Sequence, residues 1–264
     1  MRRFRVPENI AEHDKTTEEL FNKIGAIRQR ILNLGKASPE ATVIIPAYNE
    51  ERNILRTLSS LSKSTTVKSI RFLVVNNNSS DATPSLATAA GASCIDEPEQ
   101  GITAARNRGL KHAKGHFILN ADADTIYPPE WIDLMLQPLS DEKVALVYGD
   151  HYFLPGMGNS RAAYFLYEHL ADIKKMINRN LREEAVNVYG FNSAFRRSEG
   201  IDVDGFNHPS GTNEDGWLAV KLRDRFQKKL FHQSHPAAMV WTSNRRLEAD
   251  GGVIKAAGKR VLLR

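Results

Sequence analysis

The sequence contains one cysteine, Cys94, and no long hydrophobic run. A single cysteine cannot form an internal disulfide, which favours a reducing compartment. No segment approaches the roughly 20 apolar residues that a membrane-spanning helix needs. The basic amino terminus is not followed by the apolar stretch of a secretory signal. These absences predict a cytoplasmic protein.

A strong excess of one charge is also missing. Lys and Arg number 36 against 31 Asp and Glu, which gives a net charge of +5. This excess is too small to indicate nucleic-acid binding, but it suits a small anionic ligand. Residues 255–264 are basic and mildly amphipathic, which is typical of a solvated terminal helix. The alternative for these residues is peripheral contact with the inner face of an anionic membrane.

The sequence has no Gly-x-Gly-x-x-Gly after its first predicted strand and no Gly-Lys-Ser/Thr, which argues against dinucleotide-binding enzymes and phosphate-loop NTPases. Its hydrophobic pattern predicts strands that alternate with helices. The clearest predicted strands are residues 42–46, 70–75, 116–120 and 144–149. Such alternation indicates crossover connections, and therefore an α/β fold with a mostly parallel central sheet flanked by helices. Residues 8–34 have helical spacing, so we expect a helical amino-terminal extension over 1–40 and an α/β domain over 41–264.

Polar clusters lie where strands of the predicted sheet end, and ligands bind at this edge in doubly wound sheets. The sharpest cluster is the pair Asp122 and Asp124, which follows a buried strand. Carboxylate oxygens suit Mg²⁺ or Mn²⁺, and such an ion can bridge phosphate oxygens. An isolated Asp-x-Asp is more typical of a solvated turn than of a metal site. The segments that accompany the pair therefore decide its interpretation.

Five segments, taken in order, resemble the family 2 glycosyltransferases of the GT-A fold. They are VIIPAYNE at 43–50, VVNNNSSD at 74–81, GITAARNRG at 101–109, FILNADAD at 117–124, and GFNSAFR at 190–196 followed by NED at 213–215. The resemblance covers about residues 42–246. It implies a metal-dependent, inverting enzyme that transfers one sugar from a nucleotide-diphosphate sugar to an acceptor hydroxyl, in bacterial-type glycan or glycolipid synthesis.

The resemblance also implies roles for individual residues. Asp215 would be the catalytic base, with Glu214 beside it. Asp124 would be the main ligand of Mn²⁺ or Mg²⁺, and Asp122 would be a second ligand or would contact the ribose or a metal-bound water. The residues expected to bind the nucleotide sugar are Pro46, Tyr48, Glu50, Asn77, Asp81, Arg106, Asp122, Arg245 and Arg246.

Several of these residues could instead have a purely structural role. Asn77 and Asp81 would face the base or hold its loop. Arg106 would neutralise a phosphate or a metal-site aspartate, and the alternative is an exposed helix charge. Arg245 and Arg246 would clamp the diphosphate, since guanidinium groups match phosphate oxygens, and the alternative is a basic surface turn.

Departures from the family pattern narrow the prediction. Residues 76–79 read Asn-Asn-Asn-Ser where the family often has Asp-Asp-Gly-Ser. Amides serve the paired donors of guanine less well than carboxylates do, so a UDP-sugar is favoured. The Gln-x-x-Arg-Trp signature of processive members is absent, which indicates single transfers. The acceptor stays open between a glycan, a lipid-linked and a small-molecule hydroxyl.

Two other functions compete with this one. A sugar nucleotidyltransferase would need a glycine-rich basic loop near residue 50, where the chain has none. A catalytically silent domain that serves as a binding module would be expected to lack Asp124 or Asp215, and both are present. His232 and His235 could complete a metal shell, as a histidine does in some enzymes of this fold, but loop histidines are more often ordinary surface residues.

Overall fold

The computed structural model describes residues 5–35, 37–155 and 161–245. Ten strands lie in these ranges: β1 Ala41–Ala47, β2 Ile70–Asn76, β3 Ser93–Asp96, β4 Phe117–Asn120, β5 Thr125–Ile126, β6 Val144–Gly149, β7 His151–Phe153, β8 Ser193–Arg196, β9 Lys229–Gln233 and β10 Val240–Thr242. Seven of them form one sheet in the order β3-β2-β1-β4-β8-β6-β9. Strand β8 is antiparallel to both of its neighbours, and the remaining neighbouring pairs are parallel. The predicted mostly parallel sheet is confirmed.

A second, small sheet brings the end of the described chain to the Asp122-Ala-Asp124 turn. Its order is β5-β10-β7. Trp241 in β10 pairs with Ile126 on one side and with Tyr152 on the other. Just past β10, the Ser243 backbone N–H donates to the Asp124 carbonyl at 3.3 Å. The sheet therefore places residues 243–245 beside the predicted metal site.

Ten α-helices occur in the described ranges: α1 Glu8–Ala11, α2 Thr17–Phe21, α3 Ile24–Leu34, α4 Ile54–Ser62, α5 Thr83–Ala89, α6 Ile102–His112, α7 Trp131–Leu136, α8 Arg161–Leu181, α9 Arg197–Asp202 and α10 Glu214–Phe226. The helical spacing of residues 8–34 corresponds to three short helices, α1, α2 and α3. Thr16 and Glu19 form a capping box that begins a new helix at α2. No helix within the described ranges is both long and apolar enough to cross a membrane.

The core lies on both faces of the main sheet. Every residue of β1 is buried, as expected for a parallel strand with helices on each side. Leu20, Ile27 and Ile31, from helices α2 and α3, belong to the same hydrophobic cluster as Val43. The amino-terminal helices thus complete one face of this core.

Helix α6 packs so closely on the sheet that Gly109 has no room for a side chain. A Cβ atom at this position would overlap Ile44 and would lie 3.3 Å from Val75 Cγ2. We expect Gly109→Ala to lower the free energy of unfolding by about 1–3 kcal/mol, because overpacking outweighs the better helix propensity of alanine. Urea unfolding would measure the change.

Gly25, in α3, is the matched control, since a Cβ atom there would meet nothing within 4 Å. Gly25→Ala should raise the free energy of unfolding by up to about 1 kcal/mol. Equal stability of Gly109→Ala and the unsubstituted protein would show that α6 can move away from β1.

Candidate active site

The loops after β1 and β2 are joined at the carboxyl edge of the main sheet. Asn49 adopts a left-handed conformation with φ of 53°, which an asparagine tolerates well. Its backbone N–H donates to Ser79 Oγ at 3.0 Å, and its Oδ1 accepts from the Ser80 N–H at 2.9 Å. Next to this joint, Pro46 is buried in β1 and the Tyr48 side chain is 53% exposed. Tyr48 is therefore free to contact a ligand at this edge.

Asp81 holds the same two loops together. Its carboxylate accepts from the backbone N–H groups of Glu51 at 3.1 Å and Thr83 at 3.0 Å. Burial raises the pKa of Asp81, but these bonds and one from the Thr83 hydroxyl lower it overall. This geometry supports the loop-holding role rather than contact with a base.

Asn77 is engaged in the same way with the segment before α6. Its Nδ2 donates to the carbonyls of Glu97 and Glu99 at 3.0 and 2.6 Å, and its Oδ1 accepts from the Gly101 N–H at 2.8 Å. The Asn76 amide oxygen also accepts from a backbone N–H. Each of these oxygens already accepts one hydrogen bond from the protein. This geometry favours the alternative in which the two amides hold the loop, and contact with a base stays a prediction.

Asp124 and Glu50 both bind the guanidinium of Arg245. Arg245 Nη2 donates to Asp124 Oδ2 at 2.7 Å and also to Glu50 Oε1. Ser243 Oγ donates to the same Asp124 oxygen. Burial raises the pKa of Glu50, although hydrogen bonds from Arg245 and Asn53 oppose the shift. Arg246, the second predicted diphosphate ligand, lies outside the described residues, as do residues 255–264.

The oxygens around Arg245 fit a divalent cation. The Arg245 guanidinium lies between the carboxylates of Asp124 and Glu50, which balance its positive charge. Mg²⁺ and Mn²⁺ bind oxygen ligands of this kind. Within the described ranges, no group of three or more His, Cys, Asp or Glu side chains could hold a metal ion on its own. His232 is bonded to Asp150 instead, with 2.9 Å between Nε2 and Oδ2. A metal here would thus be held by one or two carboxylates, Asp124 with either Glu50 or Asp122, together with oxygens of the donor.

Arg106 joins the metal-side carboxylate to the predicted catalytic pair. Its side chain is 2% exposed, so the exposed-charge alternative is wrong. Nη2 lies 3.0 Å from Asp122 Oδ1, while Nε lies 3.4 Å from Asp215 Oδ1 and 3.9 Å from Glu214 Oε1. Burial would lower the pKa of Arg106, but these three carboxylates raise it. The guanidinium is therefore a permanent positive charge within an acidic cluster.

Asp215 lies in the first turn of α10, whose start is fixed by Asn213. The Asn213 side chain accepts from the Gly216 N–H at 2.6 Å, and the Gly190 N–H donates to Asp215 Oδ2 at 2.7 Å. A Cβ atom at Gly190 would overlap both Arg106 and Asp215, so only glycine allows this approach.

Burial raises the pKa of Asp215 to about 7, while Arg106 opposes the shift. A carboxyl group of this kind can accept a proton near neutral pH. Asp215 Oδ1 and Arg106 Nη1 are also buried without a hydrogen-bond partner. Such polar atoms are ones that a bound substrate would satisfy.

Tyr127 positions Asp122, a role that the sequence analysis missed. Its hydroxyl accepts from the Asp122 N–H at 2.9 Å and donates to the Phe191 carbonyl at 3.0 Å. The tyrosine thus ties the Asp122 turn to the segment that carries Gly190. The only signal in the sequence is its place three residues after Asp124.

Comparison with protein families identifies relatives of this chain. The sequence model described as glycosyl transferase family 2 matches residues 42–199. Glycosyltransferase AglE of Haloferax volcanii is 30% identical over 159 residues, which are 57% of this chain and 52% of AglE. EpsH of Bacillus subtilis is 26% identical over 166 residues, which are 61% of this chain and 48% of EpsH. The chain therefore spans about half the length of these curated relatives.

Solved structures share the fold. The mannosyltransferase PcManGT of Pyrobaculum calidifontis, in complex with GDP-Man and Mn²⁺, has a TM-score of 0.60 and 18% identity, and the similarity covers 96% of this chain and 76% of that one. Glucosyl-3-phosphoglycerate synthase of Mycobacterium tuberculosis, in complex with Mn²⁺ and UDP-Glc, has a TM-score of 0.55 and 20% identity over 87% of this chain and 78% of that one. The predicted GT-A fold is confirmed.

Proposed function

The chain belongs to glycosyl transferase family 2, and from this we propose that it is a metal-dependent, inverting glycosyltransferase that moves one sugar from a nucleotide-diphosphate sugar to an acceptor hydroxyl. The observation that carries the proposal is the cluster in which the buried Arg106 links Asp122 to Asp215. In support of the proposal, burial raises the pKa of Asp215 to about 7, and the neighbouring carboxylate oxygens suit a divalent cation.

Each group of residues has a distinct task in this proposal. Asp124, with Glu50 or Asp122, would hold a divalent metal, which would offset the negative charge of the leaving diphosphate. Asp215 takes the proton of the acceptor hydroxyl as the oxygen of that hydroxyl bonds to the anomeric carbon and the bond from that carbon to the diphosphate breaks. Arg106 holds Asp215 and Asp122 in place. Arg245 moves its hydrogen bonds to the diphosphate, whose oxygens suit a guanidinium.

We propose a UDP-sugar as donor, as expected from the asparagines at 76–78. Glucosyl-3-phosphoglycerate synthase was solved with UDP-Glc, whereas PcManGT was solved with GDP-Man. The Asn76 and Asn77 amide oxygens each accept one hydrogen bond from the loops, and each keeps a second lone pair that a uracil N–H can reach.

A thermal-shift panel with UDP-glucose, UDP-N-acetylglucosamine, GDP-mannose and ADP-glucose tests the function. One donor, with Mn²⁺, should raise the melting temperature, because a ligand at 100 times its Kd stabilises the folded state by about 2.7 kcal/mol. The same donor should release its nucleotide diphosphate slowly by hydrolysis. Binding without any release of diphosphate would favour the binding module. Undiminished release in excess chelator would contradict metal dependence.

A further inference from the structure

Helix α8 carries a row of exposed apolar side chains. Leu170, Ile173, Ile177 and Leu181 are 44%, 54%, 36% and 80% exposed. Their spacing places them on one face of the helix, over about 16 Å at 1.5 Å per residue. We call these four residues the α8 stripe. Met176, which is 50% exposed, adjoins it. A continuous row of this kind marks an interaction surface more often than single exposed apolar residues do.

The opposite face of α8 is anchored to the domain. Tyr164, Tyr167 and Glu168 are buried. A Glu168 carboxylate oxygen accepts from the Phe153 N–H at 2.9 Å, and farther along the helix, Asn178 Nδ2 donates to Asn187 Oδ1 at 3.0 Å. The helix is therefore held by one side, and within the described part of the chain the stripe is left on the outer side.

The charges beside the stripe are mainly positive. Lys174 and Arg182 are exposed, whereas Arg179 turns to the domain, with 2.7 Å between its Nη1 and His232 Nδ1. Of the nearby acids, Glu183 accepts from Arg223 at 2.7 Å and Glu184 accepts from the Tyr148 hydroxyl at 2.7 Å.

Asp172, on the helix itself, is half-buried. An apolar stripe with exposed lysine and arginine side chains nearby is the pattern of a helix that lies in an anionic membrane interface.

The helix leads directly into the candidate active site. A 3₁₀ turn at Glu184–Asn187 follows it, and Val186 in this turn is 49% exposed. Gly190, whose N–H donates to Asp215, comes three residues after the end of this turn. The exposed face of α8 is therefore close in sequence to Gly190, the residue that positions the proposed base.

We propose that α8 lies in the interface of an anionic membrane, with the α8 stripe among the lipid chains and with Lys174 and Arg182 on the headgroups. The acceptor would then be a hydroxyl of a lipid-linked molecule that the bilayer presents to Asp215. This second statement rests on the proposed function, whereas the docking of the helix does not.

Co-sedimentation with lipid vesicles tests the docking. The full chain should bind vesicles that contain phosphatidylglycerol about tenfold or more tightly than vesicles of phosphatidylcholine alone, and 0.5 M salt should reduce the difference. Ile173→Gln/Ile177→Gln should weaken binding by about tenfold or more, because two apolar side chains no longer enter the lipid. The matched control is Val67→Gln/Ile201→Gln, since these residues are 86% and 48% exposed elsewhere on the protein. The control should bind like the unsubstituted chain.

Each other result overturns the docking. Equal vesicle binding by the stripe variant and the control would show that the stripe is not the contact. A concentration-dependent dimer that only the stripe variant disrupts, seen by light scattering, would assign the surface to a second copy of the chain. A melting temperature several degrees lower in the stripe variant alone would mean that the chain itself covers the stripe.

The donor-induced thermal shift with Mn²⁺ separates this proposal from the proposed function. It should be the same in the stripe variant as in the unsubstituted protein, because the substituted residues lie outside the candidate donor site. A full donor shift without vesicle binding would overturn the docking alone. Vesicle binding without any donor shift would overturn the proposed function and leave the docking standing.

Discussion

Asp215→Asn should reduce sugar transfer by roughly 10²- to 10⁴-fold, the usual contribution of a general base. The substitution preserves shape, and the new amide oxygen can still accept from the Gly190 N–H that now bonds to Asp215. Donor binding, read by the thermal shift with Mn²⁺, should therefore survive while transfer collapses. A carboxylate that merely stabilised the start of α10 would contribute only about 0.3–1 kcal/mol and would barely alter turnover.

Glu214→Gln is the control for this prediction. Both acids lie in the first turn of α10, but only Asp215 is held by the Gly190 N–H. We expect Glu214→Gln to retain turnover within a few-fold of the unsubstituted enzyme. The opposite ranking of the two variants would transfer the role of base to Glu214.

The pH dependence of transfer gives a second test of the same residue. Burial raises the pKa of Asp215 to about 7, and only the deprotonated carboxylate can accept a proton. Transfer should therefore rise as the pH increases through about 7 and then level off. This rise should be absent from the residual activity of Asp215→Asn. A flat profile between pH 5.5 and 8.5 in the unsubstituted enzyme would contradict the assignment.

Local patterns were enough to predict the central strands and the edge where the polar residues meet. Strands β1, β2 and β4 are apolar runs buried from both faces, and the parallel direction that brings their carboxyl ends together follows from the helices between them. Strand β8 was not predicted because Ser193-Ala-Phe-Arg196 has neither an alternation of polar and apolar residues nor any β-branched residue. Its position between β4 and β6 depends on tertiary pairing, which a local pattern does not carry.

The charge network of the site could not be predicted from the sequence. In the sequence, Arg106 looks like an ordinary helix charge. In the structure, three carboxylates from two other segments surround it. Arg245 meets Glu50 across 195 residues of chain, and no local pattern connects them. The roles of Asn77 and Asp81 were left open between base contact and loop support, because an amide or carboxylate near a strand end serves either purpose. Only the hydrogen-bond partners distinguish the two.

Asp124→Ala should abolish the Mn²⁺-dependent part of donor binding. The side chain accepts from Ser243 and Arg245 and is the main ligand of the proposed metal site, so its loss removes that ligand. The fold should persist, because Asp124 follows the buried strand β4 and its backbone contact with Ser243 remains. Transfer should fall by roughly 10²-fold or more, since the metal supplies several kcal/mol of charge stabilisation. Calorimetric titration of Mn²⁺ and donor together would measure the binding loss.

Two further variants make the metal assignment specific. Asp202→Ala removes an exposed aspartate whose ion pair with Arg225 is 3.4 Å long, and it should leave metal binding unchanged. Arg245→Ala should have opposite effects on the two ligands. Without this guanidinium, Asp124 and Glu50 lack the cation that now neutralises them, so Mn²⁺ alone should bind more tightly. The donor should bind more weakly, because a proposed diphosphate contact is lost. If Arg245→Ala weakened Mn²⁺ binding as much as Asp124→Ala does, Arg245 would support the metal site rather than compete for its oxygens.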